Sequence, residues 1–140
     1  MAKNGFSISN RQAVETIGSA GKQLTADDCG KVFKIESSSA AIISVPSLGA
    51  AESGWNCVFI IGEGTQGNHE INGFSEAGSV VGLTSDVNAV SNLPAKSAGD
   101  LETITFAGSN TNDGDRVEVV TDGEHWYVKT FVAAINAYST

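Results

Sequence analysis

Chemically versatile side chains are scarce in this chain. Of 140 residues only two are cysteine and two histidine, and 17% are Asp, Glu, Lys or Arg, against roughly 25% in ordinary soluble domains. Two cysteines, Cys29 and Cys57, are too few for a disulfide framework or a four-ligand zinc site. Free, partly buried thiols are therefore expected, and an apolar core must hold the fold without staples. Eight Lys and Arg stand against sixteen Asp and Glu, for a net charge of −8. With no basic cluster, extended contact with nucleic-acid phosphates or with an anionic membrane surface is excluded. No apolar run approaches the ~18 residues that would cross a bilayer. The N-terminus lacks the basic start, apolar run and small-residue cleavage site of a secretory signal. Synthesis and folding in the cytoplasm are expected.

What is abundant is turn chemistry. There are sixteen Gly and only two Pro, with many Ser, Thr and Asn, and 41% of residues are hydrophobic. This composition suits many short strands joined by tight turns better than a helical bundle. The expected fold is all-β: a β-sandwich, jelly-roll-like fold or squat barrel of about eight short strands, preceded by an extended N-terminal arm. A domain of this length buries roughly two thirds of its unfolded surface.

The arm is assigned to residues 1–22 and a single β domain to residues 23–140. Residues 1–22 carry isolated apolar positions, Phe6, Ile8, Val14 and Ile17, with no sustained helical or strand period. Such a segment either stays disordered or becomes ordered against a partner, and its scattered large apolar residues favour the second outcome. Charge is uneven: Lys3, Arg11, Lys22, Lys31 and Lys34 face only Glu15, Asp27 and Asp28 within residues 1–34, so the acidity belongs to the remainder. The arm residues Lys3, Phe6, Ile8, Arg11, Val14 and Ile17 are the candidate partner-binding set.

Within the β domain, Thr25 to Asp28 offers an N-cap followed by acids, with Gly30 to close the turn. The runs 31–35 and 41–45 are β-rich and separated by serines, which predicts a hairpin. Residues 47–54 suggest a short helical turn ahead of Trp55, itself a core candidate. The run 56–61 is the most apolar in the chain and predicts a central strand covered on both faces. Shorter strands are predicted around 69–72, 80–83 and 101–106, and a long surface loop over 84–100. Asp122-Gly123 between two alternating runs is a strong hairpin signal. A two-residue turn would place Thr121 opposite Glu124, Val119 opposite Trp126 and Val117 opposite Val128. Val117, Val119, Trp126 and Val128 are then core. No internal repeat is visible.

Chemistry finds little support. A nucleophilic hydrolase needs a histidine base, and both candidates have structural explanations. His125 follows the hairpin turn on the face opposite Trp126, and His69 leads a short strand, where an exposed histidine is expected. The segment 110–115 has the look of a calcium loop, but Gly114 stands where a ligand should be and no glutamate closes it. The glycines of 62–67 lack phosphate-loop spacing. No catalytic, metal-binding or cofactor-binding residue is assigned, and the chain is read as a non-enzyme.

Several segments together resemble the small β-rich modules of tailed-bacteriophage virion proteins, found as head decoration proteins and as domains of tail fibres. They are Leu24 to Lys31 leading into a strand, Ile42-Ile43-Ser44-Val45-Pro46 with Gly54 after a small-residue turn, Phe59-Ile60-Ile61, and the ending Thr121 to Val128 with its Asp-Gly-x-x-Trp pattern. The resemblance implies a non-enzymatic structural protein, commonly a homotrimer, located on the virion. A chain this short with an arm suits a decoration, or cement, protein bound to the major capsid protein better than a complete fibre. The second reading is a receptor- or carbohydrate-binding tail module using the 84–100 loop, Trp55 or Tyr138.

Overall fold

Strict alternation of buried and half-exposed residues runs along nearly every apolar segment, and this period of two builds sheets with one dry face. A computed structural model describes residues 12–74, 80–86, 103–109 and 111–132. Among these are ten strands, more than the expected eight: β1 (Val14–Ile17), β2 (Lys22–Gln23), β3 (Val32–Ile35), β4 (Ile42–Ser44), β5 (Asn56–Ile61), β6 (His69–Asn72), β7 (Val80–Asp86), β8 (Thr103–Phe106), β9 (Arg116–Thr121) and β10 (Trp126–Val132). The described residues hold no α-helix, only one 3-10 turn at Ala26–Asp28. No described helix is long and apolar enough to cross a membrane. Among the described residues the structure is consistent with the all-β expectation.

The strands form two mixed sheets, ordered β1-β3-β5-β9-β10-β7 and β2-β4-β6-β8. From β1 to β6 the chain changes sheet at every step, and β1, β3 and β5 lie parallel, as do β2, β4 and β6. Each pair of consecutive strands is thus one rung of a coil. Residues of like type stack at the same height: Val14, Val32 and Val58 in one column, and Ile17, Ile35 and Ile61 in another. The antiparallel strands β8 and β9 close the coil, β8 on β6 and β9 on β5. β10 then pairs antiparallel with β9 and parallel with β7.

This path corrects the hairpin expected from 31–35 and 41–45. β3 and β4 belong to different sheets, and the connection between them is bonded sideways to the next rung. Gly67 donates to the Ser37 carbonyl at 2.8 Å, and the Ser37 N–H donates to Gln66 Oε1 at 3.2 Å. Backbone groups that a hairpin would satisfy across its own turn are satisfied instead by a neighbouring arch. The serines do turn the chain, but into the opposite layer.

Inward side chains of both sheets form one buried cluster, including Phe33, Ile35, Phe59, Ile61, Val117 and Val119 from one sheet and Ile43, Ile71, Ile104 and Phe106 from the other. Phe33 and Phe59, neighbours in the ladder, stack with centroids 5.7 Å apart. At one end Trp126 receives Trp55 and Phe74 edge-on, at 5.7 and 5.9 Å, the arrangement that ring quadrupoles favour. Trp55 is core, and its indole N–H donates to the Thr25 carbonyl at 3.1 Å. β5 is central, but only Cys57, Phe59 and Ile61 are buried. Its other face is partly open, against the two-sided burial expected. Residues 47–54 make turns in place of a helical segment.

The β9–β10 hairpin buries Val117, Val119, Trp126 and Val128 as expected, in a different register. Trp126 pairs with Thr121, Val128 with Val119 and Thr130 with Val117, so the loop is residues 122–125 and not two residues. Side chains select the longer turn. Asp122 Oδ1 accepts the N–H groups of Glu124 and His125 at 2.9 and 2.7 Å. Thr121 Oγ1 donates to the His125 carbonyl at 2.7 Å and accepts the Gly123 N–H at 2.9 Å. Because the shift is by two residues, every side chain keeps its face.

Gly21 has φ +66°, and a Cβ there would run into the Ile42 carbonyl, whereas a Cβ on Gly18 meets nothing within 4 Å. Gly21→Ala should therefore lower unfolding stability by about 2 kcal/mol or more, and Gly18→Ala should stay within about 0.5 kcal/mol of the parent. Urea-unfolding midpoints of the two variants check this directly.

Candidate docking face

The alternation that buries one face of the six-stranded sheet turns its odd partners outward. Three rows of side chains cross that outer face. One holds Asn56, Val120 and Tyr127. The next holds Val14, Val32, Val58, Glu118 and Lys129, and the third Thr16, Lys34, Ile60, Arg116 and Phe131. Val14 is 66% exposed, Val120 42% and Tyr127 39%, while Val32, Val58, Ile60 and Phe131 are half-buried among them. A sheet face open to water ordinarily carries polar residues at such positions. A contiguous apolar patch rimmed by charge marks a contact surface.

Its charge is unlike that of the whole chain. The described residues include five Lys or Arg, namely Lys22, Lys31, Lys34, Arg116 and Lys129, and the last three lie on this face. Lys34 pairs with Glu36 at 3.0 Å, and Arg116 pairs with Glu118. Such exposed pairs contribute little to stability. The Arg116 guanidinium and the Lys129 ammonium also flank the Phe131 ring, at 5.7 and 4.7 Å from its centroid, within cation–π range. On a protein of net charge −8, this is an apolar surface with a cationic edge.

Beside it, at the β1 edge, the other two cations are neutralised. Glu15 lies in the inward column, opposite Phe33, and there it meets Lys22 and Lys31 at 2.5 and 3.4 Å. Buried Asp28 takes the same two lysines at 3.2 and 2.5 Å and accepts the Thr25 N–H at 3.0 Å. The cap-and-acid pattern of Thr25 to Asp28 is realised here, with Gly30 at φ +78° closing the turn. Burial alone would raise the Asp28 pKa, but the Lys31 ammonium, the Thr25 N–H and Lys22 outweigh it and hold the carboxyl at about 2.

Of the arm residues expected to bind a partner, Lys3, Phe6, Ile8 and Arg11 lie outside the described residues. The other two belong to β1, so the sheet begins inside the segment assigned to the arm. Val14 points outward into the exposed face, and Ile17, only 3% exposed, packs in the core. The 84–100 loop begins as part of β7 through residue 86, and its remainder lies outside the described residues, as does Tyr138.

The histidines divide. His125 sits in the exposed hairpin loop, 3.8 Å from Asp122, whose carboxyl is held at about 2 by the N–H groups of Glu124 and His125 and by the Tyr127 hydroxyl. His69 is the correction: expected at the surface, it is fully buried. Its ring accepts the Ala41 N–H at 3.2 Å and contacts Gln66 Oε1 at 3.2 Å. Cys57 is buried and Cys29 exposed, both free, and burial pushes the Cys57 thiol well above its usual range. Among the described residues no three His, Cys, Asp or Glu side chains gather as metal ligands. In the 111–115 turn, Asp115 Oδ2 accepts the Asn112 N–H at 3.0 Å.

The outer face escaped the sequence reading for a definable reason. Within 56–61 both the buried and the exposed positions are apolar, so the period of two is hidden. The exposed Val14 and Val120 were the available signal. Comparison with protein-family models, with curated proteins and with solved structures found no match.

Asp28→Asn should cost about 1.5–3 kcal/mol near neutral pH, as expected for a charge-assisted hydrogen-bond set. Because the folded pKa of about 2 lies below the ordinary 3.8, this stability is complete above pH 3.8 and disappears as pH falls through the folded value. Denaturant unfolding of both proteins across that acid range should show their curves converging at the low end.

Proposed function

We propose that this chain is a non-enzymatic structural protein that docks on the outside of a tailed-phage head and cements it by bridging subunits of the major capsid protein. The observation that carries the reading is the outer face of the six-stranded sheet, where Val14, Val32, Val58, Ile60, Val120, Tyr127 and Phe131 share the surface with Lys34, Arg116 and Lys129. The sequence resemblance to virion β-modules supplies the kind of partner. In this reading the two sheets form a β-sandwich whose buried layers supply rigidity and whose outer sheet supplies contact.

Docking needs area more than chemistry. A specific interface buries about 1,600 Å² in total, and its energy concentrates in aromatic and arginine side chains near its centre. Tyr127, Phe131 and Arg116 are such residues, placed among valines. Lys34, Arg116 and Lys129 select a partner surface that is apolar with acidic groups around it, since charge complementarity sets specificity and encounter rate. The arm residues Lys3, Phe6, Ile8 and Arg11 precede Val14, so an arm laid on the capsid would continue from the same edge of the sheet. Assembly as a homotrimer would repeat the contact by symmetry and multiply it.

The receptor- or carbohydrate-binding alternative loses one of its platforms. Trp55 has its ring edge-on to Trp126 inside the core and is 3% exposed, so a sugar cannot stack on it.

Co-sedimentation with empty, expanded heads tests the proposal. The pair Arg116→Glu and Lys129→Glu should weaken attachment at least tenfold at low salt, with a smaller loss at high salt because screening already weakens the native contact. Removal of residues 2–11, which leaves β1 intact, should weaken it independently. Undiminished binding by the charge-reversed protein overturns the face, and undiminished binding by the truncated protein overturns the arm.

A further inference from the structure

Three connections meet at one end of the strands: residues 36–41 between β3 and β4, 62–68 between β5 and β6, and the described parts, 107–109 and 111–115, of the connection between β8 and β9. They approach so closely that side chains are excluded. A Cβ on Gly67 would lie 2.5 Å from the Ser39 carbonyl carbon, and one on Gly108 would strike the Gln66 carbonyl. The Gly108 N–H donates to Asn68 Oδ1 at 3.0 Å.

Gln66 and His69 bolt the first two arches together, and their polarity is fixed by partners that can act in only one way. Backbone carbonyls can only accept, and Gln66 Nε2 lies 3.1, 3.4 and 3.3 Å from those of Gly62, Glu63 and Gly64. Gln66 Oε1 therefore faces the Ser37 N–H and remains an acceptor toward His69 Nε2. The Ala41 N–H can only donate, so His69 Nδ1 must be its acceptor. The ring is thus the neutral Nε2–H tautomer, with both nitrogens committed and no exposed surface. A second proton has a single place to go, Nδ1, where it would confront the Ala41 N–H donor to donor.

We propose that His69 is an acid-sensitive latch: protonation of its ring breaks the Ala41 bond and frees the 36–41 and 62–68 arches from each other while the β9–β10 hairpin stays closed. No described carboxylate pairs with the ring to offset the added charge. Glu36, from the first arch, is engaged by Lys34. Glu63, from the second, is exposed, and Glu70 lies on the opposite face of β6 from His69; from the third, Asp113 is exposed and the Asp115 carboxylate accepts the Asn112 N–H of its own turn at 3.0 Å. The residue opposite His69 on β8 is Phe106, which is uncharged. Burial accordingly lowers the His69 pKa from its ordinary 6.5. The sign follows: above 6.5 the neutral ring is present in folded and unfolded chains alike and the latch is intact. Below it the unfolded or opened chain takes up the proton first, and stability falls with pH until the folded pKa is reached.

Hydrogen exchange of the full chain, corrected for intrinsic rates, tests the latch between about pH 7.5 and about pH 5. Protection of amides in 36–41 and 62–68 should fall by up to about tenfold per pH unit below the ordinary histidine value, the limit for one proton, while 116–132 keeps its protection. His69→Asn retains an acceptor where Nδ1 stood but cannot titrate, and should abolish the pH dependence. His125→Asn should leave it in place. Equal pH dependence in the parent and His69→Asn proteins overturns the latch. Should His69→Asn fail to fold, ring nitrogen-15 shifts of the parent decide the matter. A neutral Nε2–H ring whose titration below 6.5 coincides with lost protection supports the latch, and a titration at or above 6.5 overturns it.

Discussion

Everything in this molecule depends on successive rungs of the coil presenting their inward side chains at the same height. Parallel pairing of β1, β3 and β5 stacks isoleucine on isoleucine and phenylalanine on phenylalanine, so each rung completes the burial that the previous one leaves unfinished. The parallel arrangement also requires a crossover between paired strands. Here the crossover is a strand of the second sheet, so one chain segment serves as connection and as structural layer. The arches that make this possible must nest, and the glycines at their contact points are the consequence.

Nesting explains why polar side chains occur in the interior at one end. An arch turns through the edge of the core, and its backbone N–H and C=O groups point at neither ladder. Gln66 and His69 satisfy those groups in a place water does not reach. The β1 edge of the sheet is handled with charge: Lys22 and Lys31 are shared between Glu15 and Asp28. The two regions therefore respond to different stages of acidification, the neutral arches to histidine protonation and the charged edge to loss of a carboxylate at lower pH.

Much of this was legible in the residues. Short β-branched runs between glycine- and serine-rich turns announced an all-β chain, and Asp122-Gly123 located the last hairpin with its four core residues. The cap at Thr25 and the burial of Trp55 were also readable. Strand partners were not. Alternation tells which way a side chain points, but a rung stacked in parallel alternates in the same way as a hairpin strand, so 31–35 and 41–45 looked like partners. The rungs recur at unequal intervals along the chain, which hid the repeat. His69 was misplaced because its burial depends on Ala41 and Gln66, brought beside it only by nesting of the arches. The outer face was hidden by Val58 and Ile60, which look like core when read without their neighbours.

The inward-facing Glu15 has a meaning for the molecule as a member of a crowd. A stack of parallel rungs is a template, and the edge of its first strand invites another copy to continue the pattern, the route by which edge strands seed fibres. Any rung added against β1 from another chain would have to lay its apolar column on a carboxylate and two ammonium groups. Where the coil would have grown, it meets an ionic plug. The same stacking that builds the fold is thereby given a charged stop at the β1 edge.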